Sequence, residues 1–252
     1  DGQLTTIVKS GAHVVSSSEE LFYPCWRDAR FCRELDALAR DCGVTVVATG
    51  VNPGFVLDLL VVTLSAVCAD IESVTATRSN DLSPYGPSVL ASQGVGLSPQ
   101  AFAQGVRDGT VVGHLGFPES MHLIAAALGW DIERIEQTRE PVVSRVRRET
   151  PLTTVQPGQV AGCHHRAVAY CAGRAVITLD HPQQVHPQLE GVATGDRIEI
   201  RGSPNVCLSG SPEIPGGEAT VALAVNMIPR VMNAPPGLHS MLDLPVPAAL
   251  LG

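Results

Sequence analysis

Val44-Thr45-Val46-Val47-Ala48, followed by Thr49-Gly50-Val51-Asn52-Pro53-Gly54, decides the fold class. The first five residues form a continuous β-branched and apolar run without alternation. That is the pattern of a strand buried on both faces, as in a parallel sheet. Just upstream, Phe31, Leu35, Leu38 and Ala39 recur at helical spacing across Arg30–Asp41, and Gly43 supplies a stop. Before that, His13–Ser16 is a short β-type stretch ending in a Ser-rich turn. Strand, helix, strand with a short exit turn is the grammar of a parallel βαβ unit.

Downstream, Asn52-Pro53 predicts a helix running to about Val67. Asn is a favoured N-cap, and Pro fits the first helical position because its missing N–H has no partner there. The start of this helix lies beyond the carboxyl end of a strand, the edge where open α/β sheets bind ligands. From Ile71 the grammar changes. Helices are expected at about Pro99–Asp108 and Pro118–Leu128, and β character recurs at Asp131–Gln137, Val142–Arg148, Val160–Tyr170, Arg174–Leu179 and Asp196–Ile200. Ala172-Gly173 suits a hairpin turn. Consecutive strands without intervening helices predict a mostly antiparallel sheet in an α+β domain. A last apolar helix, Ala219–Met227, is expected to stop at Pro229 and to lead into a Pro-rich tail. The expected division is 1–52 for the end of a Rossmann-type parallel sheet, 53–217 for the α+β domain, and 218–252 for a helix and tail returning to the first.

Composition narrows the function classes. A 44% apolar and 17% charged chain folds into a core. With aromatics at 4%, that core rests on Val, Leu, Ile and Ala. A net charge of -8 without any Lys/Arg cluster argues against nucleic acid and against anionic membrane as partners. The longest apolar run, Phe55–Cys68, is too short to span a bilayer and is broken by Asp58, Thr63 and Ser65. Seven cysteines without Cys-x-x-Cys spacing predict reduced thiols and a cytoplasmic location. Cys163-His164-His165 with Cys171 is not expected to hold a metal, because adjacent histidines on a strand point to opposite faces.

Several segments occur in the order of a known group: Val14-Val15-Ser16-Ser17-Ser18-Glu19-Glu20-Leu21-Phe22-Tyr23-Pro24, then Ala48 to Asp58, Gly94 to Ser98, His114 to Ser120, and Val225 to Arg230 with Pro236-Gly237-Leu238 and Met241 to Pro245. Together they resemble the dihydrodipicolinate reductase-like NAD(P)-dependent oxidoreductases, closest to the 2,4-diaminopentanoate dehydrogenases and native amine dehydrogenases. The resemblance implies a homodimeric enzyme that uses NADP or NAD. It would interconvert a small amine with its ketone or aldehyde plus ammonia. An imine reductase of the dihydrodipicolinate type, or a silent homologue serving as an oligomerisation module, are the alternatives. The family also begins with a strand and Gly-x-Gly-x-x-Gly, which does not occur here. With Asp1-Gly2-Gln3 as the opening, the expectation is a chain lacking the early part of the cofactor domain and showing little activity alone.

Site residues follow from motif and resemblance together. Glu19 and Glu20 follow a strand end where a nicotinamide would lie. A partly desolvated carboxylate there would exchange protons near neutral pH. The resemblance puts the catalytic role on Glu19, with Glu20 as the second choice. Ser17, Gly50, Asn52, Pro53 and Asn226 are the implied cofactor contacts, and Val51, Val56 and Tyr85 the substrate contacts. A diamine substrate would need a further carboxylate, for which Glu119 and Asp58 are candidates.

Overall fold

The computed structural model describes residues 2–250. In chain order the elements are α1 (Gly2–Lys9), β1 (Val14–Ser16), α2 (Ala29–Asp41), β2 (Thr45–Ala48), α3 (Leu59–Ser65), β3 (Asp70–Asp81), α4 (Pro87–Ser92), α5 (Pro99–Asp108) and α6 (Phe117–Leu128). There follow β4 (Arg134–Val143), β5 (Arg148–Glu149), β6 (Thr154–Val155), β7 (Val160–Cys171), β8 (Arg174–Gln184), β9 (Gly195–Ser203), β10 (Val206–Gly210), α7 (Gly216–Met232) and β11 (Gly237–His239).

The contacts divide the chain into two compact units, residues 1–64, 116–131 and 215–252 in one, and 65–115 and 132–214 in the other. This differs from the sequential division at 52 and 217. The stretch after Pro53 and helix α6 both belong to the first unit. The buried Asp58 carboxylate accepts from Ser120 Oγ at 2.7 Å, and the Pro53 ring packs on Gly116.

In the first unit β2 is the central strand of a three-stranded parallel sheet, ordered β1-β2-β11. All four residues of β2 are buried, as its unbroken apolar run requires. Helix α2 begins where the Asp28 carboxylate accepts from Phe31 N–H at 2.8 Å. Its Leu35 and Ala39 meet Val8 of α1 and Val44 and Val46 in one cluster. The other sheet face carries Phe22, Val47, Ala48, Leu123, Met227 and Val231.

The expected helix from Asn52 is replaced by consecutive turns, with α3 starting only at Leu59. Residues 52–58 are turns, so Pro53 is not a first helical residue. Gly54 has φ +134, and a Cβ on it would lie 2.2 Å from Gly50 N and O. The turn folds back on its own backbone, which only Gly permits. Helix α7 likewise runs through Pro229 instead of ending there. Met227 and Val231, one on each side, are fully buried, and Asn233 Nδ2 donates to Pro229 O at 2.7 Å. These contacts outweigh the one lost backbone donor.

The second unit is built on a six-stranded sheet, β10-β9-β3-β8-β7-β4, antiparallel except for the β3/β8 pair. The hairpin between β7 and β8 turns at Ala172 (φ 50) and Gly173 (φ 73), the backbone of a tight two-residue turn. The two strands expected around residues 131–148 are mostly one, β4. It tolerates Pro141 because it lies at the sheet edge, and a register shift follows at Val142/Val143. His164 and His165 do face opposite ways: His164 pairs with Asp180 at 2.6 Å, and buried His165 meets Gln137 Oε1 at 3.0 Å.

The cysteines depart from expectation. Cys25 and Cys32 form a disulfide, with Cα atoms 5.5 Å apart, while Cys42, Cys68, Cys163, Cys171 and Cys207 are free. The one-turn helix Pro24–Trp26 and the Asp28 cap fold Cys25 back over the first turn of α2, a proximity that their seven-residue separation does not announce. No helix among the described residues is long and apolar enough to cross a membrane.

Candidate active site

The parallel pairing of β1 and β2 brings their carboxyl ends to one edge, where Thr49 N–H donates to Ser16 O at 2.8 Å. Beyond β1, Ser16 Oγ accepts from Ser18 N–H at 3.1 Å and turns the chain. The one-turn helix Glu19–Leu21 follows, then Phe22 and Pro24, both buried. Pro24–Trp26 forms a second single turn before the Asp28 cap. The segment between β1 and α2 is thus anchored at Phe22, Pro24 and Asp28, and it displays Glu19, Glu20, Trp26 and Arg27.

Glu19 is half-buried, and its carboxyl is pushed up to about 7. Burial is the main cause, reinforced by the negative charges of Glu119 and Glu20. Glu20, next in sequence, is exposed and lines an open cleft of about 540 Å³ with Ser18, Arg27 and Asp28. Two adjacent carboxylates therefore have different surroundings. A carboxyl at about 7 holds and releases a proton near neutral pH, as Glu19 does here.

Glu119 stands in the first turn of α6, where exposed backbone N–H groups favour an anion. It is 4% exposed, and burial raises its carboxyl while its own backbone N–H, Arg27 and the Trp26 indole pull the other way. The Arg27 guanidinium is 4.0 Å away and half-exposed, a weak counter-charge. His122, three residues along the same helix face, stacks on Trp26 with ring centroids 4.7 Å apart and planes 10° from parallel. Its imidazole is lowered by burial, which favours the neutral ring. The segment thus combines a carboxyl raised to about 7, a second buried carboxylate and a stacked Trp–His pair. Such a set suits a substrate that carries amine nitrogens.

Of the two candidates for a further carboxylate, Glu119 meets Glu19 electrostatically, and Asp58 does not take that role. Asp58 is fully buried and accepts from Gly54 N–H at 2.8 Å, Leu59 N–H at 2.6 Å and Ser120 Oγ. It staples the turn to α6. The Gly50–Pro53 stretch is also occupied with protein: Gly50 sits against Gly54, and Pro53 against Gly116. Val51 N–H donates to Thr220 Oγ1 of α7 at 3.2 Å, Asn52 is half-buried, and Val56 is completely enclosed. The glycines here serve the close approach of the turn to its own backbone. Ser17 is exposed at the mouth of the site. Asn226 accepts from Leu250 N–H at 3.1 Å, so its oxygen is engaged by the tail. Tyr85 belongs to the second unit, where it packs on Leu82, Leu90 and Val185.

Trp26, Arg27, His122 and Thr49 escaped the sequence reading. Trp26 and His122 are far apart in the chain, and no periodicity links them. Thr49 Oγ1 is buried at the end of the central strand with no hydrogen-bond partner among the described residues. Its only sequence signal was its place directly after the apolar run.

The model of the 2,4-diaminopentanoate dehydrogenase C-terminal domain matches residues 55–252. The chain is 45% identical over 247 residues to the 2,4-diaminopentanoate dehydrogenase of Acetoanaerobium sticklandii, an alignment covering 98% of this chain and 70% of that protein. An amine dehydrogenase of Streptomyces virginiae is 25% identical over 271 residues, covering 98% of this chain and 73% of its own. The solved amine dehydrogenase of Mycobacterium smegmatis superposes with a TM-score of 0.85 at 25% identity, over 99% of this chain and 73% of that one. The α/β architecture, the parallel edge with its carboxylates and these matches converge, and the chain belongs to the 2,4-diaminopentanoate dehydrogenase family.

Proposed function

We propose that this chain carries the proton-transfer and substrate-binding part of a nicotinamide-dependent amine dehydrogenase, whose substrate is a small amine bearing a second amino group. The observation that carries the reading is Glu19, a carboxyl held near neutral pH at the carboxyl edge of parallel strands. Family membership supplies the reaction class, the interconversion of an amine with its carbonyl compound and ammonia.

The chain's own residues suit a nicotinamide at this edge. Thr49 Oγ1 is a buried hydroxyl awaiting a partner, and a carboxamide is a partner of the right kind. Ser17 and Ser18 add exposed residues on the turn after Ser16, whose carbonyl accepts from Thr49 N–H. NADP or NAD, when bound, supplies or accepts the hydride. Everything else falls to protein groups. In the oxidative direction a Glu19 carboxylate oxygen takes a proton from the substrate ammonium, freeing the nitrogen lone pair that assists hydride departure. After passing that proton to solvent, the carboxylate takes one from the water that adds to the iminium carbon, returns it to the carbinolamine nitrogen, and takes the hydroxyl proton as the C–N bond breaks and ammonia leaves. A group with a pKa of about 7 can work in both directions. The stacked Trp26 and His122 would give the substrate an aromatic face to pack on. The same reading includes a homodimer in the cytoplasm.

Glu19→Gln in the full-length protein tests this. The substitution keeps the shape and removes the proton exchange. It should lower kcat by ~10²–10⁴-fold in reductive amination of a small ketone with ammonia. NAD(P)H binding, followed by fluorescence titration, should be unchanged. Turnover within threefold of the parent would remove Glu19 from the mechanism.

A further inference from the structure

We propose that the Cys25–Cys32 disulfide is a reducible latch on the segment that carries the active-site side chains, opened by a dithiol. The proposal rests on the amine dehydrogenase reading only for its effect on turnover. Cys25 lies in the single turn Pro24–Trp26, directly before Trp26 and Arg27, and Cys32 lies in the first turn of α2. The bridge therefore ties the loop bearing the Trp26–His122 stack and the Arg27–Glu119 approach to a rigid helix. The loop's second half is otherwise held by buried Pro24, the Asp28 cap and the Trp26–His122 stack. Its backbone bonds there are Arg27 N–H and Asp28 N–H, both to Pro24 O.

The bridge is open to attack from one side. Cys25 is exposed whereas Cys32 is 6% exposed. Cys25 borders an open cleft of about 450 Å³ lined also by Arg33, Asp243 and the Arg40–Asp36 pair, wide enough to admit a small thiol. Exposed disulfides exchange more readily than enclosed ones, and in reducing compartments a disulfide is usually a sensing or catalytic one. The exchange balances as two electrons and two protons. A thiolate of the dithiol attacks Cys25 Sγ, the S–S bond breaks, and its electron pair leaves on Cys32 Sγ, which is then protonated. The second thiol of the reductant displaces Cys25 Sγ from the mixed disulfide, leaving two protein thiols and an oxidised reductant.

The experiment uses the full-length protein, air-oxidised or treated with dithiothreitol, beside Cys25→Ser. Trypsin cuts at Arg27 and Arg30, so a non-reducing peptide map of oxidised protein should contain the Cys25 and Cys32 peptides joined. Dithiothreitol should separate them, change Trp26 fluorescence in a Trp130→Phe background, and lower kcat/KM roughly ten- to hundredfold, the scale of small misplacements in active sites. Reoxidation should restore both readouts. Cys25→Ser should match the reduced protein and ignore the reductant. Separate peptides before reduction would overturn the proposal, as would equal Trp26 fluorescence in the two states, or equal kcat/KM. Absence of turnover in both states, with the fluorescence change intact, would count against the amine dehydrogenase reading and not against the latch.

Discussion

The two units treat buried polarity in opposite ways. The first has three short parallel strands, and its charged groups gather where those strands end. Glu19, Glu119 and Asp58 are all raised, chiefly by burial, so each gives up its proton less readily than a free carboxyl. The second has six longer strands and buries basic groups inside a paired network. His114, His165 and His181 are lowered, and Arg78 and Arg148 are enclosed with carboxylate partners. One unit keeps unsettled charge for chemistry; the other neutralises or pairs it for stability.

The largest consequence is in pH dependence. Burial holds His114 and His165 at about 3 and His181 well below its usual value. Their folded-state values are depressed, so the stability they permit is complete above pH 6.5. As pH falls from 6.5 towards 3, the unfolded chain takes up protons that the folded one refuses. The loss is on the order of 1 kcal/mol per pH unit for each histidine that stays neutral in the folded state. Urea midpoints of the second unit should fall steadily between pH 7 and pH 4.5. A flat profile over that range would break the contrast at its strongest point.

Next in size is Arg148→Met. Arg148 is fully buried and donates to Ser144 Oγ at 2.7 Å, Gln184 Oε1 at 2.8 Å, Val185 O and the Glu190 carboxylate. Glu190 is held at about 2 by Arg145 and Arg148. Removing the guanidinium strands all these acceptors, a loss of roughly 3–5 kcal/mol for a broken buried pair. Denaturant unfolding measures it, and a loss below 1 kcal/mol would mean that the network is decorative.

Much of this architecture is legible in the sequence. The β2 run, the α2 spacing and the Ala172-Gly173 turn each express one physical requirement locally. What is not legible depends on partners distant in the chain. Strand β11 is three residues long, too short for periodicity, and exists because Gly237 N–H meets Val44 O and Leu238 N–H meets Asp36. Pro229 reads as a stop, and only the burial of Met227 and Val231 carries α7 past it. The same holds in the site. Glu19 is recognisable from its motif, but its raised carboxyl comes from tertiary burial, reinforced by Glu119 a hundred residues on, and the Trp26–His122 stack has no signature at all.

A smaller effect tests the cost of keeping Glu19 active. Its folded-state value is raised from 4.5 to about 7. Below pH 4.5 both states are protonated and nothing is lost. As pH rises from 4.5 to 7 the unfolded chain releases a proton that the folded one keeps, and stability falls. Glu19→Gln should therefore stabilise the protein at pH 8 by ~1–2 kcal/mol, once solvent screening of a partly exposed group is allowed for, and leave it unchanged at pH 4. Thermal melts at both values decide it. A destabilised variant at pH 8 would place Glu19 among paired groups like those of the second unit.

The smallest effect separates the two causes of the Glu19 shift. Burial raises its carboxyl, and the Glu119 charge raises it further. Glu119→Gln removes that charge while keeping a side chain of the same shape beside Trp26 and Arg27. The Glu19 carboxylate then forms more easily, so the acidic limb of the kcat/KM profile for amine oxidation should move to lower pH by about 0.5–1 unit, roughly 1 kcal/mol. If Glu119 also holds the second ammonium of a diamine, KM for the diamine should rise while KM for a monoamine stays near its parent value. A limb that does not move would leave burial alone as the cause. The first unit would then owe its unsettled charge to the depth of the β1 edge, and not to carboxylates facing one another.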